Sequence, residues 1–593
     1  MELQFVDWSI ILVFFISFIV IGFLTSKKSG KNSKEYFLSG RNMPWWLLGI
    51  SMVATTFSAD TPNLVTNIVR EKGVSGNWSW WAFLLTGMFT VYLYSKLWRR
   101  SKVLTDLEFY EIRYSGKEAV FLRAFRAIYL GVFFNVMIMA SVCLAGIKIG
   151  GILLGLSPFE CIFYSSLVTV LYSTLGGLRS VIYTDLIQFI MAMVGSIWAT
   201  YYIINLEEIG GLGEMLSNPI LTDKLNFFPT TNDIDQFIVV LIIPIAVQWW
   251  AVWYPGSEPG GGGYVAQRML SAKDEKNAIY STLLFNITHY VIRPWPWILI
   301  ALSSLIIFPN LDSISTAFPG VDKEIIGNDI AYPAMLSLLP SGLLGLVLAS
   351  LIAAFMSTIS SHLNWGSSYI SIDFYKRFIN KDASEKDVVK VGKLSTVFLM
   401  ILAGFVSLQL SDSLGAFYIL LQIGAGTGSI FLLRWFWWRV NAYSEITGMA
   451  ISFCVAIYFE WIHEKLFGIN LKEYQELLIG IGITTSSWLL VTFLTKPTDK
   501  NKLEKFYQLI KPYGLGWSGF VRRYDLKKIN VVEDSVMKDL FLVFLGVLMV
   551  YFGLFGIGYL IYNQTVLGSI LLILSFISFI LTNYLMSFNI KSI

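Results

Sequence analysis

Hydrophobic residues in this chain come in runs of about twenty, separated by short polar stretches, from one end of the sequence to the other. A helix needs about 20 apolar residues to cross the hydrocarbon core of a bilayer. Fifteen runs reach that length: 6–25, 44–68, 77–98, 121–147, 158–177, 182–204, 235–256, 277–308, 334–372, 391–410, 414–437, 443–465, 474–493, 537–562 and 566–588. The run at 334–372 exceeds one span and includes a lead-in or an extension. The pattern predicts an all-α polytopic membrane protein.

The polar stretches add orientation. Lys and Arg collect in "SKKSGKNSKEYFLSGRN", "RRSKVLTDLEFYEIRYSGKEA", "QRMLSAKDEK" and "DFYKRFINKDASEKDVVKVGK". The stretches 205–234 and 309–333 hold one base each, Lys224 and Lys323, among several Asp and Glu. Bases mark cytoplasmic loops, and the two sets alternate correctly if the N-terminus is outside. The C-terminus is then cytoplasmic, as is the longest polar stretch, 494–535. Its "KLEKFYQLIKPYGLGWSGFVRRYDLKK" reads as a solvated basic linker touching lipid headgroups.

Composition agrees. Of 593 residues, 55% are hydrophobic and 14% charged, against about a quarter charged in soluble proteins. The net charge of +4 gives no reason to expect nucleic acid, and no obligate protein partner is evident beyond the lipid bilayer. The first apolar run precedes its basic residues, so it is expected to stay as a helix rather than be cleaved. Cys143, Cys161 and Cys454 fit neither a disulfide framework nor a metal spacing. "GAGTGS" at 424–429 lacks the Lys of a phosphate loop, and His289, His362 and His463 lie far apart. These features argue against an enzyme.

Polar groups inside membrane segments are costly and mark candidate sites. In "TTFSADTPNLVT", Pro62 has no N–H and its ring disfavours the carbonyl of Ser58. It also biases Thr61 away from helical dihedrals. Carbonyls near 58–61 are expected to leave the helix ladder, either as a simple kink or as ligands for a cation. In "LIAAFMSTISSHLN", Ala354, Ser357, Thr358 and Ser361 share one helical face. That face suits either close helix packing or oxygen ligation of an alkali ion. Arg293, in "HYVIRPWPW", needs an anion: Asp60, a substrate carboxylate or carbonyls released by Pro294 and Pro296. Pro244, in the fifth run after 44–68, suggests a second interrupted helix. Two interruptions at matching places in two halves point to a transporter.

With these residues in hand, the chain resembles the sodium:solute symporters, the family of sodium/glucose, sodium/proline and sodium/sialic acid cotransporters. The resemblance covers about residues 5–495. It rests on "SGRNMPWW", "LEFYEIRYSG", "STLGGLRSVIYTDLIQ", "VAQRMLSAKDEKNA" and "LASLIAAFMSTISSHLNWGSSYISIDFYKR". It implies a LeuT-type inverted five-plus-five helix repeat, with one extra N-terminal and about four extra C-terminal helices. The organisation would be 1–40, a first helix and cytoplasmic loop; 41–440, the ten-helix core; 441–493, two further helices; 494–535, the basic linker; and 536–593, two last helices.

The resemblance also implies a sodium site made by the carbonyls of Ser58, Thr61 and Ala354 and the hydroxyls of Ser357 and Thr358. Asp185, Ser360 and Ser361 match a second sodium site found in some members, although Asp185 is equally suited to capping the 182–204 helix. One or two ions per cycle stay open. A solute would lie near the midplane beside Asp60, Asn63, Asn135, Gln248, Trp249 and Arg293. Asp60 replaces the Asn of the glucose-transporting members, and "AVWYPGSEPGGGG" widens a link that relatives keep shorter. The function implied is sodium-coupled import of a sugar, sugar acid, amino acid or carboxylate across the cell (inner) membrane. A sodium-independent channel fits the interrupted helices poorly. A transporter-like sensor would need an output partner, which only the 494–535 linker could recruit.

Overall fold

The computed structural model describes residues 3–590, apart from 233, 252–257, 322–325, 411–423, 425, 469–470, 525–534 and the side chains of 28–29 and 587–590. Among the described residues, ten helices are long and apolar enough to cross a membrane, from Phe5–Lys27 to Thr565–Met586. Two shorter apolar helices, Trp45–Thr56 and Ile234–Ala246, are halves of interrupted ones. The first continues as Asp60–Lys72 and the second resumes at Gly263–Ser271. Both interruptions expected from Pro62 and Pro244 are therefore present, five core segments apart.

The predicted run 77–98 is helical through Trp78–Trp81 and Leu84–Phe89 and on to Ser95–Ser101, with a π-helical stretch at Thr90–Tyr94. Residues 414–423 and 425 of the predicted 414–437 helix, the second of these being one residue of "GAGTGS", and residues 252–257 of the inserted "AVWYPGSEPGGGG" lie outside the described residues. The runs 158–177 and 182–204 join as Pro158–Ile204, bent at Gly177 (φ 54°, ψ −155°). That backbone conformation is essentially restricted to glycine. A Cβ there would also sit 2.6 Å from the carbonyl oxygen of Tyr36.

The Leu343–Ile379 helix is the most buried span among the described residues and packs against Pro158–Ile204. Its start is capped from another helix: Asp7 accepts the N–H groups of Gly342 and Gly345, each at 2.7 Å. Those donors have no partner inside their own helix, and a carboxylate there complements the helix dipole. Within Glu275–Ile307, the Arg293 N–H reaches back five residues to Thr288 O at 3.2 Å. Pro294 and Pro296 follow and supply no amide hydrogens, so the ladder widens locally instead of breaking.

The 494–535 segment differs from the solvated loop expected. Its described part forms two amphipathic helices, Lys500–Ile510 and Leu515–Arg523, that bury Leu503, Phe506, Ile510, Trp517 and Phe520. Trp517 Nε1 donates to Trp435 O at 2.8 Å, and the Arg113 guanidinium lies 5.3 Å from both the Phe506 and Trp517 ring centroids. The apolar stripe, interrupted by lysines, was legible as a helix face whose docking partner was not. The last two helices pack on each other and are tied to the rest by a buried Lys96–Asp539 ion pair at 2.8 Å.

Candidate functional site

The first half-helix ends at Phe57 (φ −85°, ψ 74°), and a new helix begins at Asp60. Pro62 thus falls in the first turn of the second half, where its missing N–H has no partner to lose. The break lies a little earlier than the proline rule alone suggested. Thr61 is helical, and its N–H donates to Ser58 O at 3.2 Å. The carbonyls turned sideways are Thr55 and Thr56, which accept from the hydroxyls of Thr358 (2.8 Å) and Thr61 (3.3 Å).

Thr358 also touches the carbonyl of Ala354 at 3.2 Å, so the small-residue face of Leu343–Ile379 packs directly on the break. Ser357 and Ser51 both donate to Asp185, at 2.6 and 2.5 Å. Their own oxygens keep lone pairs available for a cation. The Thr55 and Ser361 hydroxyl oxygens are 2.8 Å apart. All of these side chains are buried, and Ser357, Thr358, Ser361 and Asp185 have no exposed surface.

Beside the break lies a cavity of about 180 Å³, lined by Asp60, Asn63, Asn286, His289, Tyr290 and Arg293, with Trp80 and Tyr264 among its aromatic walls. Arg293 donates to Thr56 Oγ1 at 2.9 Å and to His289 Nε2 at 3.2 Å, and lies 5.1 Å from the Trp297 ring centroid. A guanidinium has no acceptor, so His289 accepts at Nε2 and carries its proton on Nδ1, 3.1 Å from Thr56 Oγ1. Arg293 forms no ion pair with Asp60 within 4 Å among the described residues. Neither side-chain amide atom of Asn63, nor the Asn286 amide oxygen, has a protein partner. Two other lining carboxylates are already paired: Glu258 with Arg126 and Arg434 (3.1 and 3.2 Å), and Asp329 with Lys148 (2.7 Å).

The family model for the sodium:solute symporter family matches residues 36–452, most of the chain. The chain belongs to that family. Relatives include a sodium/glucose cotransporter of Vibrio parahaemolyticus, 25% identical over 484 residues covering 78% of this chain and 86% of the relative. The Mus musculus sodium/glucose cotransporter 1 is 26% identical over 550 residues, covering 83% of this chain and 79% of the relative. A sodium/myo-inositol cotransporter of Canis lupus familiaris is 27% identical over 487 residues, 76% of this chain and 66% of the relative. The fold matches that of a Na+-coupled sialic acid symporter in a substrate-bound outward-open state. There the TM-score is 0.65 at 21% identity, over 84% of this chain and all of that one. The interrupted first and sixth core helices are those of the LeuT-type repeat.

In this symporter the residues singled out from sequence separate into groups. Ser58, Asp60, Thr61, Asn63 and Arg293 line the cavity, while Ala354, Ser357, Thr358 and Ser361 lie behind the break. Ser360 turns back to Ser357 O at 3.1 Å. Asp185 is no helix cap, since it sits mid-helix and bonds across to two others.

Three solute candidates face elsewhere. Asn135 spends its amide on Gly131 O and His362 O and lies 2.5 Å from His362 Nδ1, joining two helices. Gln248 donates to Ser79 O at 2.9 Å, and Trp249 stacks on Phe89 at 5.3 Å; neither lines the cavity.

His289, isolated in sequence from the other histidines, lies one turn before Arg293 on the same face, with Asn286 before it. Arg268 of "VAQRML" was missed because it lies in a polar stretch between apolar runs. Asp106 holds the start of its helix, accepting Gly263 N–H at 2.9 Å, and burial pushes that carboxyl up to about 6.

Proposed function

We propose that this chain couples the downhill entry of sodium to uptake of a small organic solute, by alternating access, across the cell membrane. Sodium is taken to bind at the break, with carbonyls of Ser58, Thr61 and Ala354 and hydroxyls of Ser357 and Thr358 as ligands. The observation that carries this is the contact between Thr55 O and the Thr358 hydroxyl. It sets the end of the first half-helix against the hydroxyl face, with the cavity on the far side. An ion shared by the two elements pins them in one arrangement, and its loss releases them. The ion acts by binding one conformation more tightly than the other. Entry of one positive charge down 100 mV contributes about 2.3 kcal/mol.

The solute is taken to lie in the cavity, between Asp60 and Asn63 on one side and Asn286, His289 and Arg293 on the other. Fixed donors and acceptors beside aromatic walls suit a sugar, a sugar acid, an amino acid or a carboxylate. The solutes in the relatives' names, glucose and myo-inositol, make polyols the first compounds to test. Topology follows the charge pattern, with the N-terminus outside and the C-terminus cytoplasmic.

A thermal-stability screen tests the coupling before any substrate is known. Purified protein is melted with candidate solutes in sodium and, separately, in potassium. A true solute raises the melting temperature more in sodium than in potassium, because ion and solute favour the same state. A solute that stabilises equally in both salts contradicts the proposal.

A further inference from the structure

The Asp185 carboxylate is fully buried, and a charge there needs a compensating partner. Asp185, Ser360 and Ser361 are the residues that match a second sodium site, yet the structure sets a different cation among them. Arg268, also with no exposed surface, donates from Nε to Ser51 Oγ at 3.2 Å and from Nη2 to Ser361 Oγ at 2.6 Å. Nη2 lies 3.7 Å from Asp185 Oδ2, and Nη1 donates to the Gln267 side-chain oxygen at 3.1 Å. Both Asp185 oxygens are already held, by Ser51 at 2.5 Å and Ser357 at 2.6 Å. A sodium ion at Asp185 and Ser361 would meet the guanidinium across the same two groups. Two like charges against one buried carboxylate repel each other strongly in a weakly screening interior. The position therefore takes one cation at a time.

We infer that Arg268 is the resident cation of this position, so that the transporter binds one sodium ion, at the break, and none at Asp185. This rests on the sodium-coupled reading above and gives its stoichiometry. Arg268 is a positioning residue in that scheme. It rides on Gly263–Ser271, the second half of the second interrupted helix, and its bonds to Ser51 and Ser361 tie that half to the first interrupted helix and to the hydroxyl face. Asp185 is the hinge of the arrangement, because it also orients Ser357, a proposed ligand of the one ion. Movement of either interrupted helix is thereby felt at the ion without a second ion being spent.

The test counts bound ions and needs no solute. Full-length protein is equilibrated with radiolabelled sodium in an N-methyl-glucamine background. Wild type saturates at one ion per molecule with a hyperbolic curve. R268Q vacates the position and saturates at two, and added guanidinium ion, which refills it, returns the count to one. Should R268Q not purify as a folded species, R268K carries the test, since its ammonium keeps the position filled and the count at one. Two ions in wild type or R268K, or one ion in folded R268Q, overturn the inference alone. Absence of any saturable sodium binding in wild type instead overturns the sodium-coupled reading on which it rests.

Discussion

At the scale of single residues, a polar group inside an apolar run proved to be an ambiguous sign. Asp60, Asn63 and Arg293 stood out by their cost in a membrane, and all three line the cavity. Asn135 stood out for the same reason, but its amide is consumed between two helices. The sequence carries the cost of burying a polar group and not the partner that offsets it. Arg268 shows the converse, since nothing in its local polar setting announces a guanidinium with no exposed surface. Ser357 is the residue on which the sodium proposal is most exposed. Its hydroxyl donates to Asp185 and offers its oxygen to the ion. S357A is expected to weaken sodium binding at least tenfold, about 1.4 kcal/mol, while its sodium-free melting temperature stays within a few degrees of wild type. Sodium titration of the melting temperature reads both, and unchanged sodium affinity would remove Ser357 from the site.

At the scale of elements, the proline rule located the first interruption to within a turn. Pro62 forbids a continuous helix through Ser58, and the chain answers by starting a new helix at Asp60, so the break moves to 57–59. What the rule could not supply was the partner for the freed carbonyls, because Thr358 lies some 300 residues away in sequence. The two runs 158–177 and 182–204 are one helix in the structure, and their boundary is a bend. Gly177 is what permits that bend. G177A forces a side chain into a glycine-only conformation and against Tyr36 O, and is expected to cost about 1–3 kcal/mol. A melt in the absence of sodium checks it, and an unchanged melting temperature would mean the bend tolerates a Cβ.

At the scale of the whole molecule, helix number and order were largely legible because membrane length and hydrophobicity fix them locally. The docking of the Lys500–Ile510 and Leu515–Arg523 helices was not, since it depends on distant aromatic and arginine side chains. The two interruptions, five core segments apart, give the molecule two movable half-helices around one cavity and one hydroxyl face. That arrangement is the basis for coupling, and flux through a reconstituted membrane tests it most directly. Protein in sealed vesicles is supplied with the solute that stabilises it best in sodium, under an inward sodium gradient and under equal sodium on both sides. The account predicts accumulation above the external concentration only with the gradient, collapse of that accumulation on adding a sodium ionophore, and a larger extent when the vesicle interior is negative. Solute movement at the same rate and to the same level with no sodium gradient would contradict it.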